Sequence, residues 1–208
     1  MLGTEVMRQL RKHHGTKLIP TTQDNMDITD LKSVKNTFKK HNPTHVIHCA
    51  AFTAVDTAEK DPLNAYLINA EGTKNLAFFA STTDAELIYI STDYVFDGTK
   101  GRPYKESDKP KPINTYGRSK LLGEQYIQTL MDNYKIIRTS WLNGLGGAHT
   151  KNFIETMLRV AEQRNELAVV DDQTGRPTFT FDLAKAVILL MDANAYGIYH
   201  VTGEGKTT

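Results

Sequence analysis

Short apolar runs rich in β-branched and aromatic residues alternate with longer stretches of helical periodicity, and this alternation constrains the fold more than any other feature of the chain. His45–Ala50 (HVIHCA), Glu86–Thr92 (ELIYIST), Tyr134–Trp141 (YKIIRTSW) and Ile198–Thr202 read as strands, with shorter ones at Lys17–Pro20 and Leu167–Asp171. Thr4–His13, Asp30–His41, Leu63–Ala80, Asn114–Met131, Lys151–Arg164 and Asp182–Asn194 read as helices; in the second, Leu31, Val34 and Phe38 recur at helical spacing. Asp93–Ile113, with Gly98, Gly101, Pro103, Pro110 and Pro112, reads as turns, and Gly144–Gly147 as a flexible loop. Strands separated by helices of about ten or more residues imply right-handed crossovers and a parallel sheet. The strands are continuously apolar rather than alternating, as expected when helices cover both faces. The expected class is α/β, a doubly wound, Rossmann-like parallel sheet.

The two ends depart from that plan. Such a fold opens with a strand feeding a glycine-rich turn and then a helix. Here Met1-Leu2-Gly3 leads directly into the helix, and Gly3 fits the last glycine of that turn. The expectation is therefore a sheet lacking its first strand, with that strand and the early glycines encoded upstream. The chain also stops just past a strand, at Gly203–Thr208, leaving only part of a small C-terminal substrate domain. Residues 1–140 are expected to form the dinucleotide-binding domain. Residues 141–208 are expected to form a partial substrate-binding region interleaved with the last strands. A helix start without its phosphate-cradling loop predicts weak dinucleotide binding by these 208 residues.

Composition narrows the function classes. A formal net charge of +1 gives no electrostatic reason to expect nucleic acid or a membrane surface as partner. Lys39, Lys40, Lys109 and Lys111 read as solvated surface. No apolar run approaches the ~20 residues that span a bilayer, and Met1 is followed by an amphipathic charged stretch rather than a signal peptide. The single cysteine, Cys49, has no internal disulfide partner, suits a reducing cytoplasm and reads as a small buried hydrophobe. The seven histidines lack ligand spacing, and no Cys/His cluster supports a zinc site, so no metal is expected.

The most specific chemical signal is Tyr116-Gly117-Arg118-Ser119-Lys120. Tyr and Lys at i, i+4 share one helix face. An ammonium there is expected to depress the phenol's pKa and make it a usable proton carrier. Upstream, Ser91 and Thr92 end a strand, where a hydroxyl faces the crevice in which parallel sheets bind ligands. The joint Thr/Ser–Tyr–Lys set is the arrangement of the short-chain dehydrogenase/reductase superfamily. Four longer stretches resemble the dTDP-4-dehydrorhamnose reductases within it: Ser91–Gly98 (STDYVFDG), His48–Asp56 (HCAAFTAVD), Arg138–Trp141 (RTSW) and Asp172–Thr178 (DQTGRPT). The resemblance covers essentially the whole chain.

It implies reduction of dTDP-4-dehydro-L-rhamnose to dTDP-L-rhamnose with NADPH or NADH, in nucleotide-sugar and cell-surface polysaccharide biosynthesis. It implies Thr92, Tyr116 and Lys120 as catalytic residues. Gly3, Asp27, Ile28, Ala50, Ala51, Phe52, Thr53, Tyr116 and Lys120 would bind cofactor, and Thr92, Asp93, Tyr116 and Trp141 would bind substrate. Asn69 is expected to help position the catalytic strand, while Glu59 and Asp61 read as solvated acids at helix starts. A homodimer is compatible with the resemblance. Two rivals stay open: a nucleotide-sugar epimerase or dehydratase, and a non-catalytic subunit of the kind represented by the regulatory β-subunit of methionine adenosyltransferase.

Overall fold

The computed structural model describes residues 1–144 and 152–208. The chain divides into two compact units. One comprises Met1–Leu18, Thr139–Leu189 and Val201–Thr208; the other comprises Ile19–Arg138 and Leu190–His200.

In the first unit, helix α1 (Leu2–Leu10) buries Leu2, Val6 and Leu10, one face at helical spacing. Gln9 donates to the Phe181 carbonyl at 2.9 Å, which ties this helix to a later one.

The second unit holds the larger core. The Asp30 side chain accepts from Lys32 N and starts helix α2 (Leu31–His41), which ends at Asn42 in the left-handed region. Strand β1 (His45–His48) follows. Helices α3 (Val55–Lys60) and α4 (Pro62–Tyr66) lead into a π-helical turn, Leu67–Gly72, and then α5 (Thr73–Thr82). Where an uninterrupted helix is expected from Leu63 to Ala80, the chain therefore carries a π insertion around Asn69. Strand β2 (Glu86–Thr92) is almost wholly buried, and Asp93–Val95 form a 3-10 turn at its end. Helix α6 (Thr115–Leu130) is capped by Asn114, whose side chain accepts from Gly117 N. Strand β3 (Tyr134–Thr139) comes next.

The short strand β4 (Leu142–Asn143), helix α7 (Phe153–Ala161), strand β5 (Thr178–Phe179) and most of helix α8 (Thr180–Asp192) belong to the first unit; β6 (Gly197–His200) returns to the second. The main sheet has the order β1-β2-β3-β6, and β4 pairs with β5 in a separate ladder. β1 runs parallel to β2 in the register His45–Glu86 through His48–Tyr89, and β3 runs parallel to β6 from Lys135–Gly197. The α/β class with a parallel sheet is thus observed.

Two expected strands are not found. Lys17–Pro20 and Leu167–Asp171 both run without ladder pairing. A strand exists only with a neighbour to pair with, and residues 161–174 are exposed throughout, Val169 and Val170 included. Their apolar side chains reach no packed surface. The Gly144–Gly147 loop lies, apart from Gly144, outside the described residues.

The core of the second unit gathers Val34 and Phe38 of α2, Leu76, Ala77 and Ala80 of α5, Leu87 and Tyr89 of β2, Ile127 of α6 and Ile136 of β3. α6 lies unusually close to its neighbours. A Cβ at Gly123 would stand 2.5 Å from the Asn69 carbonyl and 2.8 Å from the Tyr89 hydroxyl oxygen. Gly-to-Ala in a helix interior ordinarily gains up to about 1 kcal/mol. For Gly123→Ala the opposite sign is expected, a loss of about 1–3 kcal/mol from overpacking, read by urea unfolding.

Candidate active site

The carboxyl ends of β1 and β2 and the first turns of α6 bring the second unit's polar groups together. Thr92 ends β2, and its hydroxyl caps the 3-10 turn by accepting from Tyr94 N at 3.2 Å. The start of α6 must then approach that turn. A side chain at Gly117 would collide with the Tyr94 carbonyl, so this position of the Tyr-x-x-x-Lys segment has a steric reason to be glycine. The Tyr94 and Tyr116 rings meet edge to face, with centroids 5.7 Å apart. The Thr92 hydroxyl donates to Asp93 Oδ1 at 3.2 Å, and it lies close enough to the phenol of Tyr116 to act on its titration.

Burial pushes the Tyr116 phenol up to about 12; the nearby Thr92 side chain opposes the shift, and the Asp93 charge adds to it. The expected depression of the phenol by Lys120 is not what the geometry produces. Lys120 points its ammonium at the Ile90 carbonyl, 2.7 Å away, and stands 4.1 Å above the Tyr89 ring. Lys120 itself is brought down to about 7, chiefly by burial, with Glu124 and Cys49 pulling the other way. Both shifts share one cause, the low dielectric behind the strand end. Asp93, next to Thr92, is raised to about 6 by burial.

The turn after β1 is held from the π-helical turn. Asn69, on the π-helical turn, accepts from Phe52 N (2.8 Å) and donates to Phe52 O (3.0 Å) and Ser119 Oγ (3.0 Å). Its side chain positions the Ala50–Phe52 turn and α6, and its backbone carbonyl accepts from the Tyr89 hydroxyl of β2 at 3.4 Å, so it also touches the strand that ends in Thr92. Ala50 and Thr53 are exposed there, and Ala51 and Phe52 half-buried. His48 and Cys49 lie behind this surface: burial drives the imidazole down to about 3 and the thiol up to about 11, so both stay neutral. Asp27 binds the N–H and hydroxyl of Thr29, and the Ile28 side chain is buried in the core.

Glu59 is exposed, as a solvated acid would be, but it lies in the last turn of α3 rather than at a helix start. Its carboxylate accepts from Thr115 N (2.6 Å) and Thr115 Oγ1 (2.9 Å), fastening α3 to the start of α6. Asp61 caps α4 by accepting from Asn64 N. Ser91, weighed with Thr92 as the strand-end hydroxyl, is turned the other way and donates to Glu124 at 2.5 Å. Glu124, which carries no motif in the sequence, forms a buried ion pair there with Arg138, the first residue of the Arg138–Trp141 stretch.

Gly3 and Trp141 belong to the first unit. Gly3 lies in the first turn of α1. Trp141 has a positive φ of 43° and lays its indole against Gly175, leaving no room for a side chain at that glycine. Among the described residues no group of three or more His, Cys, Asp or Glu is arranged to hold a metal, and no helix is long and apolar enough to cross a membrane.

A parallel α/β sheet carrying a strand-end Thr opposite a Tyr-x-x-x-Lys helix defines the short-chain dehydrogenase/reductase class. The family model described as the RmlD substrate binding domain matches residues 1–208, and the chain belongs to that family. The spore coat polysaccharide biosynthesis protein SpsK of Bacillus subtilis is 47% identical over 204 residues, covering 98% of this chain and 70% of that protein. A dTDP-4-dehydrorhamnose reductase from Clostridium acetobutylicum superposes with a TM-score of 0.94 at 43% identity, over 100% of this chain and 72% of its own. The corresponding reductase from Bacillus anthracis, solved in complex with NADP, superposes with a TM-score of 0.90 at 41% identity, over 98% and 72%. The resemblance found in the sequence motifs is therefore a family relationship.

The pH dependence of stability tests the buried ammonium. The folded protein holds Lys120 at about 7, against 10.5 ordinarily, so between those limits the unfolded chain binds the extra proton. Wild-type stability should rise relative to Lys120→Met as pH climbs from about 7 to about 10. The variant's relative advantage should be greatest below pH 7; equal melting-temperature differences at pH 6 and pH 9.5 would contradict the assignment.

Proposed function

We propose that this chain reduces the 4-keto group of dTDP-4-dehydro-L-rhamnose to give dTDP-L-rhamnose, with NADPH or NADH, in the biosynthesis of cell-surface polysaccharide. The observation that carries the reading is Tyr116 set close to the strand-end Thr92, one helical turn from a buried lysine. Family membership supports the substrate class, and the NADP complex of the Bacillus anthracis relative supports the cofactor.

The residues present fit a nicotinamide cofactor. Lys120 uses an N–H on Ile90 O, and an ammonium has three, which leaves donors for ribose hydroxyls. Small Ala50 and Ala51, with Phe52 and Thr53, offer a surface that a dinucleotide can approach closely. Asp27 and Ile28 are assigned to its adenine end. When bound, the cofactor supplies hydride to the keto carbon.

Thr92 donates to the carbonyl oxygen and orients it, beside Asp93. Tyr116, protonated at neutral pH like any phenol and held so more firmly by burial, gives its proton to the oxygen as negative charge develops there. Lys120 holds the ribose, and its charge favours the phenolate left by that transfer. Gly3 for the cofactor and Trp141 for the sugar rest on the family resemblance alone, as does the division into a dinucleotide part (1–140) and a partial substrate part (141–208). The reading carries no nucleic-acid or membrane partner. It places the chain in the cytoplasm, where a lone Cys49 stays reduced, as a homodimer testable by analytical ultracentrifugation.

Tyr116→Phe is expected to lower kcat by about 10²–10⁴ with little change in cofactor affinity. Nicotinamide absorbance in the presence of dTDP-4-dehydrorhamnose measures the first, and fluorescence titration the second. Near-normal turnover by the variant removes Tyr116 from the acid role. Sugar conversion without net nicotinamide oxidation points to an epimerase.

A further inference from the structure

We propose that Glu124, clamped by Arg138 and Ser91, is a positioning residue that registers the Tyr116–Lys120 helix against the strand end carrying Thr92. The inference rests on the reductase reading above.

Glu124 follows Lys120 by four residues and Tyr116 by eight, so all three share one face of α6. Its carboxylate is wholly buried. Arg138 on β3 grips it in two places, Nε to Oε1 at 3.0 Å and Nη2 to Oε2 at 2.6 Å. Ser91 on β2 donates to Oε1 at 2.5 Å, and the next residue is Thr92. One carboxylate thus ties the catalytic helix to two neighbouring strands, at the residue adjoining the proposed oxygen-binding hydroxyl. Arg138 is itself fixed, with its guanidinium 5.1 Å from the Phe96 ring centroid.

A buried ion pair is a poor source of net stability, because desolvation offsets the attraction. Its geometric contribution is specific, since bidentate guanidinium–carboxylate contacts tolerate little rotation or sliding. The carboxylate also has an electrical effect one turn away. The groups that bear on Lys120 are Glu124 from α6, Cys49 and His48 from the end of β1, and the Tyr89 ring from β2. Of these, Glu124 supplies the main pull against desolvation, keeping the ammonium charged.

The test compares wild type with Glu124→Gln and Ser91→Ala on two readouts. One is kcat and KM against pH with dTDP-4-dehydrorhamnose and NADPH. The other is the Lys120 titration midpoint from NMR of lysine-labelled protein, which needs no turnover. Glu124→Gln should lower kcat about tenfold or more, with KM changed less than about threefold. It should also move the Lys120 midpoint and the basic limb of the kcat profile together to lower pH, by about one unit, as loss of a nearby opposite charge requires. Ser91→Ala, which keeps the ion pair, should lower kcat a few-fold and leave the midpoint in place.

A Glu124→Gln profile and midpoint matching wild type overturn the inference, as does a fall in kcat with neither moved, which marks structural damage alone. Should Glu124→Gln fail to fold, Ser91→Ala decides, and unchanged kcat there overturns the registration. A shifted midpoint in a protein whose wild type turns over no sugar sustains the positioning role and defeats the reductase reading instead.

Discussion

Helix α6 reaches the sheet only because two of its residues have no side chain. Gly117 lets its first turn pass the Tyr94 carbonyl, and Gly123 lets its middle rest on the Asn69 carbonyl and the Tyr89 hydroxyl. The other features of the site follow from that approach. It buries Lys120 against Ile90 and Tyr89, brings Tyr116 to Thr92, and carries Glu124 into reach of Ser91 and Arg138. The polar contacts around the helix set its position along the strand: Asn114 and Glu59 at its start, Ser119 with Asn69 in the next turn, and Glu124 beyond. Apolar packing alone is non-directional and would tolerate sliding.

The same closeness sets the electrostatics. Behind the strand end, charge is costly, so His48, Cys49 and Tyr116 are held neutral and Lys120 is left near its titration point. A neutral phenol suits proton donation, and a lysine poised near neutrality is sensitive to every charge around it. The sequence-based expectation that Lys120 lowers Tyr116 treats the pair as if it were in water, one helical turn apart. In the folded protein both groups lose solvation, and that loss outweighs their mutual effect.

The π-helical turn at Leu67–Gly72 shows how a local irregularity serves the site. It accompanies the placement of Asn69, whose amide holds both backbone groups of Phe52 and the Ser119 hydroxyl. Such insertions often occur at functional positions. Hydrophobic periodicity reads the segment as plain helix, since a single short turn is shorter than the window over which periodicity is read.

The residues by themselves determined the α/β class, the four strands of the main sheet and most helices, and pointed to Thr92, Tyr116 and Lys120 as the site, because period, apolar run length and motif wording are local properties. They misread Lys17–Pro20 and Leu167–Asp171, where strand-like composition meets no pairing partner. They also passed over Glu124, and gave no partner to Glu59 or Arg138, since such residues look like ordinary surface charges when only neighbours in sequence are considered. Tertiary structure alone decided that Ser91 turns to Glu124 while Thr92 caps the turn at Tyr94, and that Lys120 lies over the Tyr89 ring. Hydrogen-bond partners 14 to 56 residues apart, such as Arg138 with Glu124 and Thr115 with Glu59, are chosen by packing in three dimensions, and no one-dimensional pattern encodes which pairs will meet.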